Sequence, residues 1–182
     1  MWKEFKKQKL AALKKAIHLG KVDEGIIPLL NEINKYENLV TTSSCFGRIV
    51  LLEFDLKERK ATAEFYRKWH REVSVEEVEA AVSEYNKKLP LWFKVEPFIL
   101  HVSAADYKSA EWFLKVARAA GVKRGGIQGT NKGKVAIEIQ GTVWMSFPID
   151  CVTAKWKEVV NVANKMVQIN FLQLKKLEKL LK

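Results

Sequence analysis

The chain has 182 residues, 48% of them hydrophobic, which suits a single domain with a substantial core, and its 29% charged content argues against a membrane protein. Its longest apolar runs, such as Ile49 to Leu52, are strand-sized. A spanning helix needs about 18 apolar residues, and the lysine-bearing N-terminus lacks the apolar stretch of a secretory signal, so a cytoplasmic protein is expected. The net charge of +11, from 32 basic and 21 acidic residues, raises the local concentration of polyanions; nucleic acid is the commonest such partner and an anionic membrane surface the other.

In chain order, Trp2, Phe5, Leu10, Leu13, Ala16 and Ile17 recur at helical spacing, and Gly20 is the natural stop. A second helix is expected over about Asp23 to Tyr36, where Pro28 falls early enough to be tolerated. Leu39 to Thr42, Arg48 to Phe54 and Thr62 to His70 read as strands. Ser74 with Glu77 forms a capping box ahead of a helix running to about Lys87. Short extended pieces follow at Leu91 to Glu96 and Phe98 to Val102, then a helix capped by Ser103, with Asp106 in its first turn, that ends at Gly121. After a glycine-rich stretch, strands at Val135 to Gln140 and Val143 to Phe147 lead into a long helix from about Val152 to Leu181. No regular alternation of strand and helix is present. The expectation is therefore an α+β fold: one domain over residues 1–182, a mixed sheet with flanking helices, and a long C-terminal helix.

Two segments offer chemistry. Thr41-Thr42-Ser43-Ser44-Cys45-Phe46-Gly47-Arg48 sets five small hydroxyl or thiol residues between two apolar strands, with an arginine suited to a carboxylate or phosphate. The same pattern also fits a polar hairpin turn closed by a strand arginine. Gly121 to Lys134 is glycine-rich and basic, able to hold phosphate on main-chain amides, or else to form a hairpin tip. It is not a P-loop, because Val135 stands where Ser or Thr is required, and it lacks the dinucleotide glycine pattern. Cys45 is a candidate nucleophile, with His70 or His101 as a base brought by folding; a buried inert thiol and a satisfied core histidine are the plainer alternatives. His18 suits a helix C-terminus. The two cysteines and three histidines show no metal spacing, so no metal is expected.

Thr41-Thr42-Ser43-Ser44-Cys45-x-Gly47-Arg48-Ile49 resembles the signature of the tRNA wybutosine-synthesising protein 3 family. Further pieces follow in that family's order: Val22-Asp23-Glu24 before Pro28-Leu29-Leu30, Trp69-His70, Glu96 to Val102, Gly121 to Ile127, and Asn161-x-x-Asn164. The resemblance covers nearly the whole chain. The chain departs from the pattern at Phe46, where the family has a small residue, and at Val122 and Gly125, where it has an aromatic and a serine.

The resemblance implies a fold unlike the Rossmann-type methyltransferases. It also implies an enzyme that uses S-adenosylmethionine to methylate the N-4 nitrogen of a wyosine-type base at guanosine 37 of tRNA(Phe). On that basis His70, His101 and Arg48 are the catalytic candidates. Ser43, Ser44, Cys45, Gly126, Asn161 and Asn164 are the candidates for binding cofactor or substrate. The expected partner is the anticodon stem-loop of tRNA(Phe), with no membrane and no metal, and a monomer or weak dimer is expected. The rival readings are a non-catalytic RNA-binding relative and a lysine-driven membrane-surface protein.

Overall fold

A computed structural model describes residues 1–54, 63–86, 89–151, 153 and 155–182. The chain order is helix α1 (Trp2–His18), a 3-10 turn (Glu24–Ile26), α2 (Ile27–Lys35), strands β1 (Leu39–Cys45), β2 (Arg48–Glu53) and β3 (Glu64–Trp69), then α3 (Val75–Ser83). There follow β4 (Leu91–Glu96), β5 (Ile99–Ala104), α4 (Tyr107–Ala119), β6 (Arg124–Asn131), β7 (Lys134–Gln140), β8 (Met145–Pro148), a second 3-10 turn (Ile149–Cys151) and α5 (Trp156–Leu181). The strands form two four-stranded sheets, in the orders β1-β5-β7-β6 and β3-β2-β4-β8. Every pairing among the described residues is antiparallel, so the expected mixed sheet resolves into two antiparallel ones within the expected α+β class.

The chain divides into two compact units. The first comprises Met1–Phe46, Phe98–Thr142 and Asn170–Lys182; the second comprises Gly47–Pro97 and Val143–Ile169. In the first unit, the alternation of β5 and β7 sends Leu100, Val102, Ala104, Val135, Ile137 and Ile139 to one face. There they pack with Leu29, Leu30 and Ile33 of α2, Phe113 and Ala117 of α4, and Leu174 and Leu177 of α5. Polar residues therefore fall on the opposite face. In the second unit β2 is an inner strand with Ile49, Val50, Leu51 and Leu52 all buried, and Phe93 stacks on Phe147 and lies against Trp156. An inner strand buried on both sides reads as the continuous apolar run seen in the sequence.

Several expectations are corrected. The hydroxyl-rich segment is no hairpin turn: Thr41 to Cys45 continue β1, and β1 and β2 belong to different sheets. Most of the glycine-rich segment is strand, β6 paired along β7, with only Lys132 and Gly133 at the tip. Ser103 is buried within β5, and Asp106 is the cap of α4, its side chain accepting from the Ser109 amide at 2.7 Å. Tyr107 opens the helix, so the aspartate directly before it occupies the cap position, whereas Ser103 lies four residues ahead of the first turn. The second helix is a 3-10 turn followed by a shorter α-helix, and β8 begins at Met145, after Trp144. Thr62, Lys87 and Val152, expected element ends, lie outside the described residues. The capping box of Ser74 and Glu77 is present with both of its hydrogen bonds.

Candidate active site

The alternation that builds the first core also builds a polar row on the other face of the same sheet. Ser43 of β1, His101 of β5, Glu138 of β7 and Gly126 of β6 are consecutive register partners across all four strands. Ser43 Oγ lies 2.7 Å from His101 Nδ1, and His101 Nε2 lies 2.8 Å from Glu138 Oε2. An ionised carboxylate only accepts, so Nε2 carries a proton, and in the neutral ring Nδ1 is left to accept from the Ser43 hydroxyl. The His101 and Glu138 side chains keep 40% and 35% exposure, so the row is open to a ligand. Gly126 ends it with open space where a side chain would stand. Cys45, two residues beyond Ser43 on the same strand face, pairs with Ile99 in the next row.

Ser43 faces His101 because β1 is irregular. The register passes from Thr41↔Val102 to Ser43↔His101, leaving Thr42 unpaired in a bulge. Ser44 then returns to the side of Leu100. Beside this strand lies a cleft of about 300 Å³ between α1 and β1, lined by Thr41, Thr42, Ser43 and Ser44, by Lys9 and Lys21, and by apolar residues including Leu13, Val22 and Leu30. Asn34 of α2 fixes the start of the segment: its amide donates to Thr41 Oγ1 and its carbonyl accepts from the Thr41 amide, both at 2.9 Å. Hydroxyl groups, two lysines and apolar side chains in one cleft can meet a ligand that has both an anionic and an apolar part.

The departures from the family pattern are absorbed by packing. Phe46 is buried, stacks on Phe171 at 4.1 Å, and would lie 2.5 Å from any Cβ at Gly25. Its bulk thus fills the core and not the α1–β1 cleft, whose lining does not include it. Val122 is a core residue. At Gly125 a Cβ would meet the Glu138 carbonyl at 2.7 Å, so close approach of β6 to β7 at that point requires glycine.

The remaining candidates belong to the second unit. Arg48 of β2 pairs across the sheet with Glu96 of β4, Nε to Oε2 at 2.6 Å, and its guanidinium lies 4.4 Å from the Phe65 ring centre. His70 follows directly on β3. Asn164 of α5 is committed to backbone: Oδ1 accepts from the Val73 amide at 3.0 Å and Nδ2 donates to the Val73 carbonyl at 2.9 Å. Asn161, one turn earlier, is exposed. Glu138 was not singled out in the sequence. Its signal was there, since His101 and Glu138 are each an ionisable residue flanked on both sides by buried apolar ones, Leu100 and Val102, Ile137 and Ile139.

A two-sheet antiparallel α+β protein with an open Ser–His–Glu row beside a hydroxyl-lined cleft belongs to no nucleotide-binding parallel-sheet class. The chain belongs to the Methyltransferase TYW3 family, whose model matches residues 4–182. It is 37% identical over 179 residues to the tRNA(Phe) 7-((3-amino-3-carboxypropyl)-4-demethylwyosine(37)-N(4))-methyltransferase of Thermococcus sibiricus, covering 95% of this chain and 90% of that one. It is 38% identical over 181 residues to methyltransferase 1 of the same description from Thermococcus kodakarensis, covering 96% and 91%. Among solved structures, the PH1069 protein from Pyrococcus horikoshii superposes with a TM-score of 0.92 at 35% identity, covering 99% of this chain and 95% of that one. A hypothetical protein from Aeropyrum pernix does so with a TM-score of 0.73 at 28% identity, covering 87% and 98%.

Proposed function

We propose that the protein transfers a methyl group from S-adenosylmethionine to the N-4 nitrogen of a demethylated wyosine-type base at guanosine 37, in the anticodon stem-loop of tRNA(Phe). The observation that carries this reading is the cross-strand row. It sets Ser43, from the hydroxyl-rich signature, against His101 and Glu138 on a face open to substrate, beside a cleft lined by Thr41 to Ser44. The relatives named above act, by their names, on this base of this tRNA. The family match runs through both compact units, which supports treating residues 1–182 as one functional domain.

When bound, S-adenosylmethionine supplies a methyl on a sulfonium that is already a good leaving group. Ser43 and Ser44, with Thr41, Thr42, Lys9 and Lys21 around the same cleft, are the residues that would hold it. The protein's remaining work is to orient the attacking nitrogen, keep water away and receive the proton that the nitrogen gives up. Ser43 is exposed, and its hydroxyl can take the nitrogen's proton as it passes its own to His101 Nδ1. Glu138 holds the ring in the tautomer that makes this possible and compensates the charge it gains.

The test is calorimetric titration with S-adenosylmethionine, then methyl transfer to tRNA(Phe) carrying the demethylated precursor. Saturable binding and one methyl gained per tRNA are expected. Neither binding nor transfer with the precursor tRNA present would leave only an RNA-binding relative of the family.

A further inference from the structure

A second concave surface lies away from the row, between α1 and α2. It is a groove of about 750 Å³ in which Leu10 and Ile17 alternate along one stripe of α1 with Lys3, Lys7 and Lys14. α1 carries six lysines against one acidic residue, Glu4, and none of its residues is buried. Lys3, Lys7 and Lys14 are exposed. At 1.5 Å per residue they mark a ladder rising about 6 Å and then about 10 Å along the helix. Lys6, by contrast, is spent on structure: its amine donates to the Tyr36 carbonyl, and burial pulls its pKa below the usual lysine value.

We infer that this groove is where the RNA substrate docks, its sugar–phosphate backbone against Lys3, Lys7 and Lys14 and its riboses or bases over Leu10 and Ile17. The inference rests on the tRNA reading for which RNA it is. Charge complementarity selects the occupant. A one-signed ladder attracts a polyanion and repels a second copy of itself. A bilayer is disfavoured because a flat surface fits a concave groove poorly, whereas an RNA strand can lie along it. The groove also joins the candidate site mechanically. Asn34, one of its lining residues, holds Thr41, and Leu13 lines both this groove and the cleft beside β1.

The experiment uses the full chain with Lys3→Gln, Lys7→Gln and Lys14→Gln combined, and an in vitro transcript of tRNA(Phe) as probe. Affinity should fall at least tenfold at fixed salt. The slope of log K against log salt should shrink by about two, since each lost contact to a single strand is worth about 0.7. S-adenosylmethionine binding and the circular dichroism spectrum should be unchanged. As a comparison, Lys175→Gln, Lys176→Gln and Lys179→Gln on exposed positions of α5 should cost much less. Unchanged tRNA affinity and slope would overturn the inference, as would an equal loss from the α5 variant, which reports only net charge. Loss of binding to phosphatidylserine vesicles with tRNA binding intact would overturn it in favour of a membrane. Lysine-dependent tRNA binding by a wild-type chain that transfers no methyl would uphold the groove while sinking the methyltransferase reading. A methylating wild type whose triple variant keeps its KM for tRNA would do the reverse.

Discussion

Each of the two sheets sets a cationic or ionisable side chain of one strand against a glutamate on its neighbour: His101 against Glu138 in the first, Arg48 against Glu96 in the second. The His101 pair has side-chain exposures of 40% and 35%, and its far nitrogen points to another side chain, Ser43. The Arg48 pair is more enclosed, at 23% and 25%, with Lys94 also 3.6 Å from Glu96 and the Phe65 ring against the guanidinium. A histidine between a carboxylate and a hydroxyl is arranged to move a proton. An arginine between a carboxylate and a ring is arranged to stay where it is, because its proton does not leave. Both are candidates for function, but only the first has spare chemistry on an accessible face.

The largest effect that would sharpen this contrast is on activity. His101→Ala should lower methyl transfer by a factor of about 100 or more, as loss of a positioned base does, while its melting temperature stays near that of the wild type. A variant that melts early, or turns over normally, would reduce the row to packing. Next, Arg48→Ala should destabilise by about 1–2 kcal/mol, discounted from the buried-pair range because the group is partly exposed, and urea unfolding measures it. A wild-type midpoint would show that the enclosed pair holds nothing. Third, Glu138→Gln should cost about tenfold in kcat with KM for tRNA little changed, since the residue acts through His101; a purely structural role would appear in the unfolding midpoint instead.

The smallest effect concerns α3. Glu77 is held at a pKa of about 2, chiefly by its hydrogen bonds from Arg71 and then from the Ser74 amide, against an ordinary value of 4.5. A lowered folded-state pKa means that the carboxylate stabilises the fold above pH 4.5 and that this contribution is lost as pH falls toward 2. The melting difference between the wild type and Glu77→Ala should therefore be full at pH 6 and nearly gone near pH 2. A gap that persists in acid would assign the stabilisation to something other than the charge.

The local features were legible because their causes are local. The stop of α1 at Gly20, the Ser74–Glu77 box and the apolar run of β2 each follow from a few adjacent residues. Where the reading failed, propensity was overruled. Glycines 125, 126 and 129 discourage a strand, yet β6 exists because β7 offers it a ladder from Arg124 to Asn131, broken once between Ile127 and Gly129. The Ser103 cap lost to Asp106 because β5 extends further than its apolar pattern suggested.

What the sequence by itself determined is the α+β class, the basic character that calls for a polyanion, and the list of polar residues from which a site could be built. Which of them meet was a matter of tertiary structure. Period-two alternation alone puts Thr42 on the face opposite Thr41; the bulge skips it and sets Ser43 opposite His101. Glu138 came into the row only through the pairing of β5 with β7. Strand register depends on contacts made far along the chain, and a shift of one residue exchanges the two faces of a strand, so the pairing of the sheet decides what no single segment encodes.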